Sequence, residues 1–429
     1  MQIGFFKQLR EGVSDAFYIW YEELRHAIHD EGVIIFFVVV PLVYPLLYSW
    51  IYNNEVLREV PVAVVDNSHS QESRQFVRMC DASPDVHIAY YADDMDEAKM
   101  LVSRQIVKGI YYIPSDFSTR LNRLEQTSVS VYCDMGLMLA YKAIYQTSML
   151  VSQEMNSRIQ IKLSGKPTAR EEQLTAHPLE QTDVAIFNPT SGYGNFILPA
   201  VLMLILQQTL VLGIGLSAGT ARESNRFKDL VPLNSHYQGV FRIVLGKAMF
   251  YIMIYIVMAA YLTIVVPRMF GFVTLIRPAD LLLLLIPYVL ACVFFGMVVS
   301  CLIRYRENVM LLVVFVSVPL LFLSGVSWPQ SAIPGAWQGV SWLFPSTFGV
   351  RAFVRMNSMG GTLSDVPLEY YALWIHVVAY FALACGVYRY QLHLSRQHAR
   401  ERIGYISLKQ QMRSKLKNRS VIRNVQQEK

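Results

Sequence analysis

Charge is what this sequence has least of. Of its 429 residues 16% are charged, where an ordinary soluble domain carries roughly 25%. The hydrophobic fraction is 53% and the mean hydropathy is +0.32. That balance disfavours disorder, nucleic-acid binding and a plain cytosolic enzyme. Cysteine is sparse too: five residues without a paired Cys-x-x-Cys spacing, which argues against a zinc site or a disulfide framework. No phosphate-cradling Gly-x-x-x-x-Gly-Lys-Ser/Thr loop is present. The pairs Gly165-Lys166 and Gly246-Lys247 lack the upstream glycine and the following hydroxyl, so the chain is not expected to hydrolyse ATP itself. His-Glu-x-x-His and Gly-x-Ser-x-Gly motifs are absent as well.

The apolar residues are gathered into long charge-free runs, the signature of a membrane protein. A span needs about 20 of them. Six candidates follow: Gly32 to Tyr52, Phe196 to Ser217, Ala248 to Val266, Leu281 to Ile303, Val309 to Ser324, and Tyr370 to Tyr388. The first starts too late, and has too acidic a flank, for a cleavable signal peptide. Asn308 to Val350 runs 43 residues without a charge, long enough for two spans. Its second half is broken by Gly325, Pro329, Pro334, Gly335 and Pro345. Irregular backbone is tolerated at membrane depth only when buried against protein, so this half is expected to form a re-entrant or interfacial hairpin at about 326–347.

Parity supports that choice. The last 41 residues hold 11 Lys/Arg against 2 Glu. Six spans put both chain ends on one side, and the positive-inside rule makes that side cytoplasmic. Arg222, Arg226, Lys228, Arg242 and Lys247 fall between spans two and three, and Arg304 and Arg306 between four and five, on the same side. Trp50, Trp328, Trp337, Trp342 and Trp374 map to the opposite interface as an aromatic belt, while Trp20 falls on the inner side. The expected fold is therefore an α-helical polytopic membrane protein with an inserted α/β domain, in a cell inner membrane. The expected parts are an interfacial helix (1–31), a first span (32–54), an extracytoplasmic domain (55–183), the remaining membrane domain (184–390) and a basic tail (391–429).

In residues 1–31, Phe5, Leu9, Val13, Phe17, Trp20, Leu24 and Ile28 repeat at helical spacing, which predicts an amphipathic helix along the membrane surface. A soluble helix packed on a partner is compatible with the same pattern. In residues 55–183 the strands Val60–Val65, Val86–Tyr91, Gly109–Ile113 and Ser128–Cys133 alternate with helices to Cys80, after Asp96, over Pro114–Leu124 and over Met135–Leu163. Ser68 with Gln71 predicts a capping box; Asp93, Asp94 and Asp96 suit a helix start. With 13 Lys/Arg against 18 Asp/Glu, this domain is mildly acidic, which gives no reason to expect an anionic ligand there. Cys80 and Cys133 share it, and an oxidising compartment would permit a disulfide, but their positions do not guarantee proximity. Cys292, Cys301 and Cys385 lie in spans as packing residues. The tail reads as a helix followed by a flexible end near anionic headgroups.

Few polar groups invite a chemical role. Asp66, Ser68 and His69 are too close in sequence to converge as a triad, so capping is the better reading. His26, His29 and Asp30 have metal-compatible spacing, but a His pair on an amphipathic helix is more often interfacial. Gln207, Gln208 and Thr209 lie mid-span and are candidates to line a pathway; interhelical hydrogen bonding explains them equally well. His376 lies near the outer end of the last span.

Two segments resemble one family. Arg222-Glu223 directly follows the second span and leads through a short polar run to Val231-Pro232. Leu323, Ser324 and Gly325 are followed by Trp328, Pro329, Pro334, Trp337, Pro345 and Arg351. Both patterns, with the span order and the domain start at Val62-Ala63-Val64-Val65-Asp66, resemble type-2 ATP-binding-cassette exporter permeases that carry a large domain between spans one and two. The resemblance implies an outer hairpin at Ser324, Gly325, Pro329, Pro334, Trp337 and Pro345. It also implies a cytoplasmic element that rests on an ATPase, here Arg222, Glu223, Arg226, Lys228 and Asp229. The family often follows Arg-Glu with an acidic residue and Gly-Thr; Ser224 to Lys228 departs from that, which suits a dedicated ATPase. The implied partners are an ATPase subunit that holds ATP and magnesium, a second identical or related permease chain, a periplasmic adaptor where an outer membrane exists, and the bilayer. No cofactor, metal or nucleic acid is expected on this chain. A solvated loop obeying the positive-inside rule would also explain the Arg and Lys. Two other readings stay open: a sensor acting through the outer domain, and a membrane-embedded enzyme, for which converging polar groups are too few.

Overall fold

The computed structural model describes residues 2–53, 56–165, 186–188, 192–223, 229–232, 236–237, 239–303 and 305–427. Side chains are described within 10–401, Ser164 excepted. Of the sequence expectations, Arg226, Lys228 and Arg304 lie outside the described residues. In chain order the described elements are α1 (Gln2–His29), α2 (Glu31–Ile51), β1 (Val60–Asp66), α3 (Gln71–Asp81), β2 (Val86–Tyr91), α4 (Met95–Ser103), β3 (Gly109–Ile113), α5 (Phe117–Asn122), β4 (Ser130–Cys133), α6 (Met138–Ser164), α7 (Tyr193–Glu223), α8 (Val240–Phe270), α9 (Pro278–Leu302), α10 (Arg306–Leu323), α11 (Gly335–Ser341), α12 (Pro345–Met359) and α13 (Pro367–Gln427). Two compact units result: Asn54–Gly192, and Met1–Asn53 together with Tyr193–Lys429.

The first unit is a four-stranded sheet in the order β2-β1-β3-β4. The first three strands are parallel and β4 pairs antiparallel with β3. Val60, Val62 and Val64 face Phe76, Val77 and Cys80 of α3 and Ile144 of α6. The alternate residue Val65, with Ile110, covers Ala98 of α4 on the other face. The central strand is thus apolar on both sides, as a parallel strand between helices must be. Tyr111 fastens β3 to α6 by donating to the Ile144 carbonyl at 3.0 Å. Cys80 and Cys133 are both free thiols. Burial pushes the Cys80 thiol up to about 12 and the Cys133 thiol up to about 11.

One capping expectation is corrected. The capping box of α3 joins Ser70 and Ser73, not Ser68 and Gln71. The Asp66 carboxylate accepts from the Ser68 and His69 amides at 3.0 and 3.1 Å. That local turn occupies the position where the helix would otherwise begin. It also confirms that Asp66, Ser68 and His69 form a turn and not a catalytic set.

Among the described residues, the second unit has six helices long and apolar enough to cross a membrane: α2, α7, α8, α9, α10 and the first part of α13. α7 is buried on almost every side, which is why it is apolar all round. It packs against α9, α10 and α12, while α13 lies along α9. α1 docks on α8. The docking face is Ile19, Glu23 and Ala27; of the predicted apolar stripe, Trp20 and Leu24 pack partly against the core while Val13, Phe17 and Ile28 stay exposed, and the side chains of Phe5 and Leu9 lie outside the described residues. Gly246 lets the helices close up, since a Cβ there would stand 2.8 Å from the Ala16 carbonyl oxygen.

The structure differs from expectation in two places here. The hairpin does not end near residue 347. Its second limb continues as α12 to Met359, buried along nearly its whole length. Hydropathy misses α12 because it carries Arg351, Arg355 and Asn357. The chain after 390 also does not separate into a helix and a flexible end; α13 runs unbroken to Gln427.

Candidate functional site

The polar groups of the membrane unit fall into two sets. One holds the charged end, where α7 and α9 finish and α8 and α10 begin. Asp15 of α1 receives Arg242 at 2.6 Å and pairs with His236 at 2.8 Å. Glu23 binds Lys247 and accepts from the Tyr251 hydroxyl at 3.2 Å. Asp30 caps the start of α2, accepting from the Gly32 and Val33 amides, and also binds Arg306 at 2.7 Å and the Thr220 hydroxyl at 2.6 Å. Burial opposes the charge on Asp15 and Asp30. Hydrogen bonds from His236 and Arg242 hold the Asp15 carboxyl below its usual range. Thr220, the Val33 amide and Arg306 do the same for Asp30. His29 turns to the Arg25 carbonyl and His26 towards Glu22, so His26, His29 and Asp30 do not converge on a metal.

Arg222 belongs to this end but points inward. It is 3% exposed, and it donates to the carbonyls of Cys301, at 3.0 Å, and Ile303. Those are orphan acceptors at the end of α9, and a cation suits the negative end of that helix. Glu223 in contrast is exposed, and Asp229 is held by His398 of α13 at 2.8 Å. A groove of about 990 Å³ opens beside Arg222, Asp229 and His398 and follows α13 past Tyr390 to Gly386. The predicted coupling set therefore divides: Arg222 is a structural cap, Glu223 faces out, and Asp229 is tied to α13.

The second set closes broken backbone around the hairpin. Ser324 and Gly325 end α10, with Gly325 at φ +87°, a conformation that glycine adopts without strain. Arg351 of α12 donates to the Ser324 carbonyl at 3.0 Å and the Leu323 carbonyl at 3.4 Å. His376 and Tyr380 of α13 bond the Trp342 and Leu343 carbonyls beyond α11. Pro329, Pro334 and Pro345 each stand where a helical piece begins, where a missing N–H costs nothing. Trp328, Trp337 and Trp342 are exposed.

Gln207 ties α7 to α12 and α9. Its Oε1 accepts from the Ser346 amide at 2.7 Å, capping the start of α12, and receives the Cys292 thiol at 3.7 Å. Thr209 donates to the Ile205 carbonyl of its own helix at 2.7 Å. Both are committed to packing. Gln208 is only partly buried, and its Nε2 has no partner among the described residues, so it is the member of the trio with a donor available to line a pathway. The role of Arg351 was legible only as part of the hairpin pattern. The clamps Glu23–Lys247 and Asp15–Arg242 had no sequence signal, because their partners stand more than 220 positions apart.

Six candidate spans with an interrupted, internally capped hairpin define an α-helical polytopic membrane protein. The model for the ABC-2 family transporter protein matches residues 32–385, most of the chain, and the protein belongs to that family. It is a transmembrane permease of an ABC transporter, and the family implies partnership with an ABC ATPase subunit. No curated protein matches the sequence.

Proposed function

We propose that the chain is the membrane subunit of an ATP-driven exporter. It moves a drug-, lipid- or glycan-like substrate out of the cytoplasm or the inner leaflet. Two permease chains, identical or related, pair with two ATPase subunits that hold ATP and magnesium. The charged end faces the cytoplasm, with both termini, and residues 55–183 lie outside, where a periplasmic adaptor is a further partner. Closure of the ATPases pushes on the charged end, and the helices clamped to it, α1, α7, α8 and α10, move together to open the pathway outward.

The observation that carries this reading is the join at the charged end. Asp30, at the junction of α1 and α2, ties that junction to α7 and α10 through one carboxylate, and exposed Glu223 lies three residues beyond Thr220. A push delivered beside Glu223 therefore reaches four helices at once. The test is a pull-down of the tagged chain from native membranes in mild detergent, with ATP hydrolysis measured on the eluate. A stoichiometric ATPase is expected, and Glu223→Ala should lower ATP-driven transport without reducing the amount of folded protein. Absence of any ATPase would contradict the reading.

A further inference from the structure

The inserted domain holds a crevice that the exporter reading does not use. The chain leaves β1 towards α3 on one face of the sheet and leaves β2 towards α4 on the other. Where successive connections part in this way, a crevice opens beyond the carboxyl ends of the strands, and parallel α/β sheets bind ligands there. Here that position holds a cavity of about 560 Å³ lined by Asp66, Gln71, Arg74, Val77, Arg78 and Tyr91. Asp66 and Tyr91 stand at the ends of β1 and β2.

The side chains are organised towards it. Arg74 donates from Nε to the Ser70 carbonyl at 3.1 Å and from Nη2 to the His69 carbonyl at 3.2 Å. Arg78 donates from Nε to the Arg74 carbonyl at 3.3 Å. Both guanidiniums are thus drawn back towards the start of α3, which is also the positive end of its dipole. They are like charges at i and i+4, an arrangement that destabilises a helix, and neither makes an ion pair among the described residues. The lining holds one carboxylate, Asp66, against the two guanidiniums, which leaves an excess of one positive charge. Both Asp66 oxygens are engaged, by the Ser68 and His69 amides and by the Ser73 hydroxyl at 2.6 Å. Tyr91 is 70% exposed, a ring with an open face at the mouth.

We propose that the crevice binds a phosphate monoester carried on a ring: Arg74 and Arg78 take the dianionic phosphate and Tyr91 stacks the ring. This inference stands independently of the exporter reading. The same chemistry reaches the site either as a soluble phosphate ester or as a lipid headgroup.

The test is calorimetric titration of the full chain, purified in neutral detergent, with phenyl phosphate and with inorganic phosphate. Saturable binding of phenyl phosphate is expected, at least about tenfold tighter than inorganic phosphate. Arg74→Gln with Arg78→Gln should weaken it by about tenfold or more, and Tyr91→Ala should remove the advantage over inorganic phosphate. All three positions are exposed, so thermal midpoints should match the parent. Nanodiscs settle the source: weaker phenyl phosphate binding in discs containing phosphatidylinositol 4-phosphate than in discs of equal charge made with phosphatidylserine identifies a headgroup, and equal binding a soluble ester. No saturable binding to the parent chain, or undiminished binding by the double arginine variant, overturns the proposal.

Discussion

The two ends of the membrane unit are held together by different chemistry. At the charged end, Asp15 and Glu23 of α1 clamp cations on α8, and Asp30 at the start of α2 clamps Arg306 of α10. At the aromatic end, side chains bind the loose carbonyls of interrupted helices: Arg351 at α10, and His376 and Tyr380 beyond α11. The first arrangement joins separate elements through long side chains and can transmit a push between them. The second satisfies backbone that lipid cannot, and so permits a hairpin to enter the bundle. Arg222 shows that sign of charge alone does not distinguish the two. It sits at the charged end yet does the work of Arg351, capping a helix C-terminus.

The comparison breaks most visibly at the Glu23–Lys247 clamp, whose side chains are 9% and 6% exposed. Lys247→Met leaves a buried carboxylate without its cation and should lower stability by about 3–5 kcal/mol. The double variant Glu23→Met with Lys247→Met should recover most of that loss in a denaturation cycle. Next come the two caps. Arg351→Leu and Arg222→Leu each strand two carbonyls, and each should cost about 2–3 kcal/mol by thermal or chemical denaturation. A near-zero effect of Arg222→Leu with loss of ATP-driven transport would return it to the coupling set. A smaller effect, about 1–2 kcal/mol, is expected from Gln207→Leu, which frees the Ser346 amide. Transport per folded molecule should then be unchanged, whereas Gln208→Leu should alter it.

The smallest effect follows pH. The folded values of Asp15 and Asp30 lie below the ordinary 3.8. Their contribution to docking α1 is therefore complete above about pH 3.8 and is lost as the pH falls through the lowered native values. Amide exchange in α1, corrected for its intrinsic pH dependence, should rise below that point. It should not do so in the variant Asp15→Asn with Asp30→Asn, which lacks the titrating groups.

Span count, the N-terminal helix and every strand were legible because each rests on local periodicity: long apolar runs for α2, α7, α8, α9 and α10, helical spacing for α1, alternation or compact apolar blocks for β1 to β4. α12 was not legible. Its burial comes from α7, α9 and α13 surrounding it, and its arginines mimic a surface loop. The start of α3 was misplaced by two residues because Asp66 competes for the turn. The site was legible as a pattern but not as geometry. Arg222 and Glu223 are neighbours in sequence, yet one is buried and the other exposed, a difference set by the end of α9 some 80 residues away.

The central claim is that the charged end is the face that meets the ATPase. Site-specific photo-crosslinking in native membranes tests it most directly, using Glu223→Cys at the charged end and Gly339→Cys at the aromatic end. A Cβ at Gly339 meets nothing within 4 Å, so the label is accommodated. Crosslinks to an ATPase subunit from Glu223→Cys and none from Gly339→Cys are predicted. Crosslinks from Gly339→Cys, or none from Glu223→Cys while the ATPase co-purifies, would contradict the account.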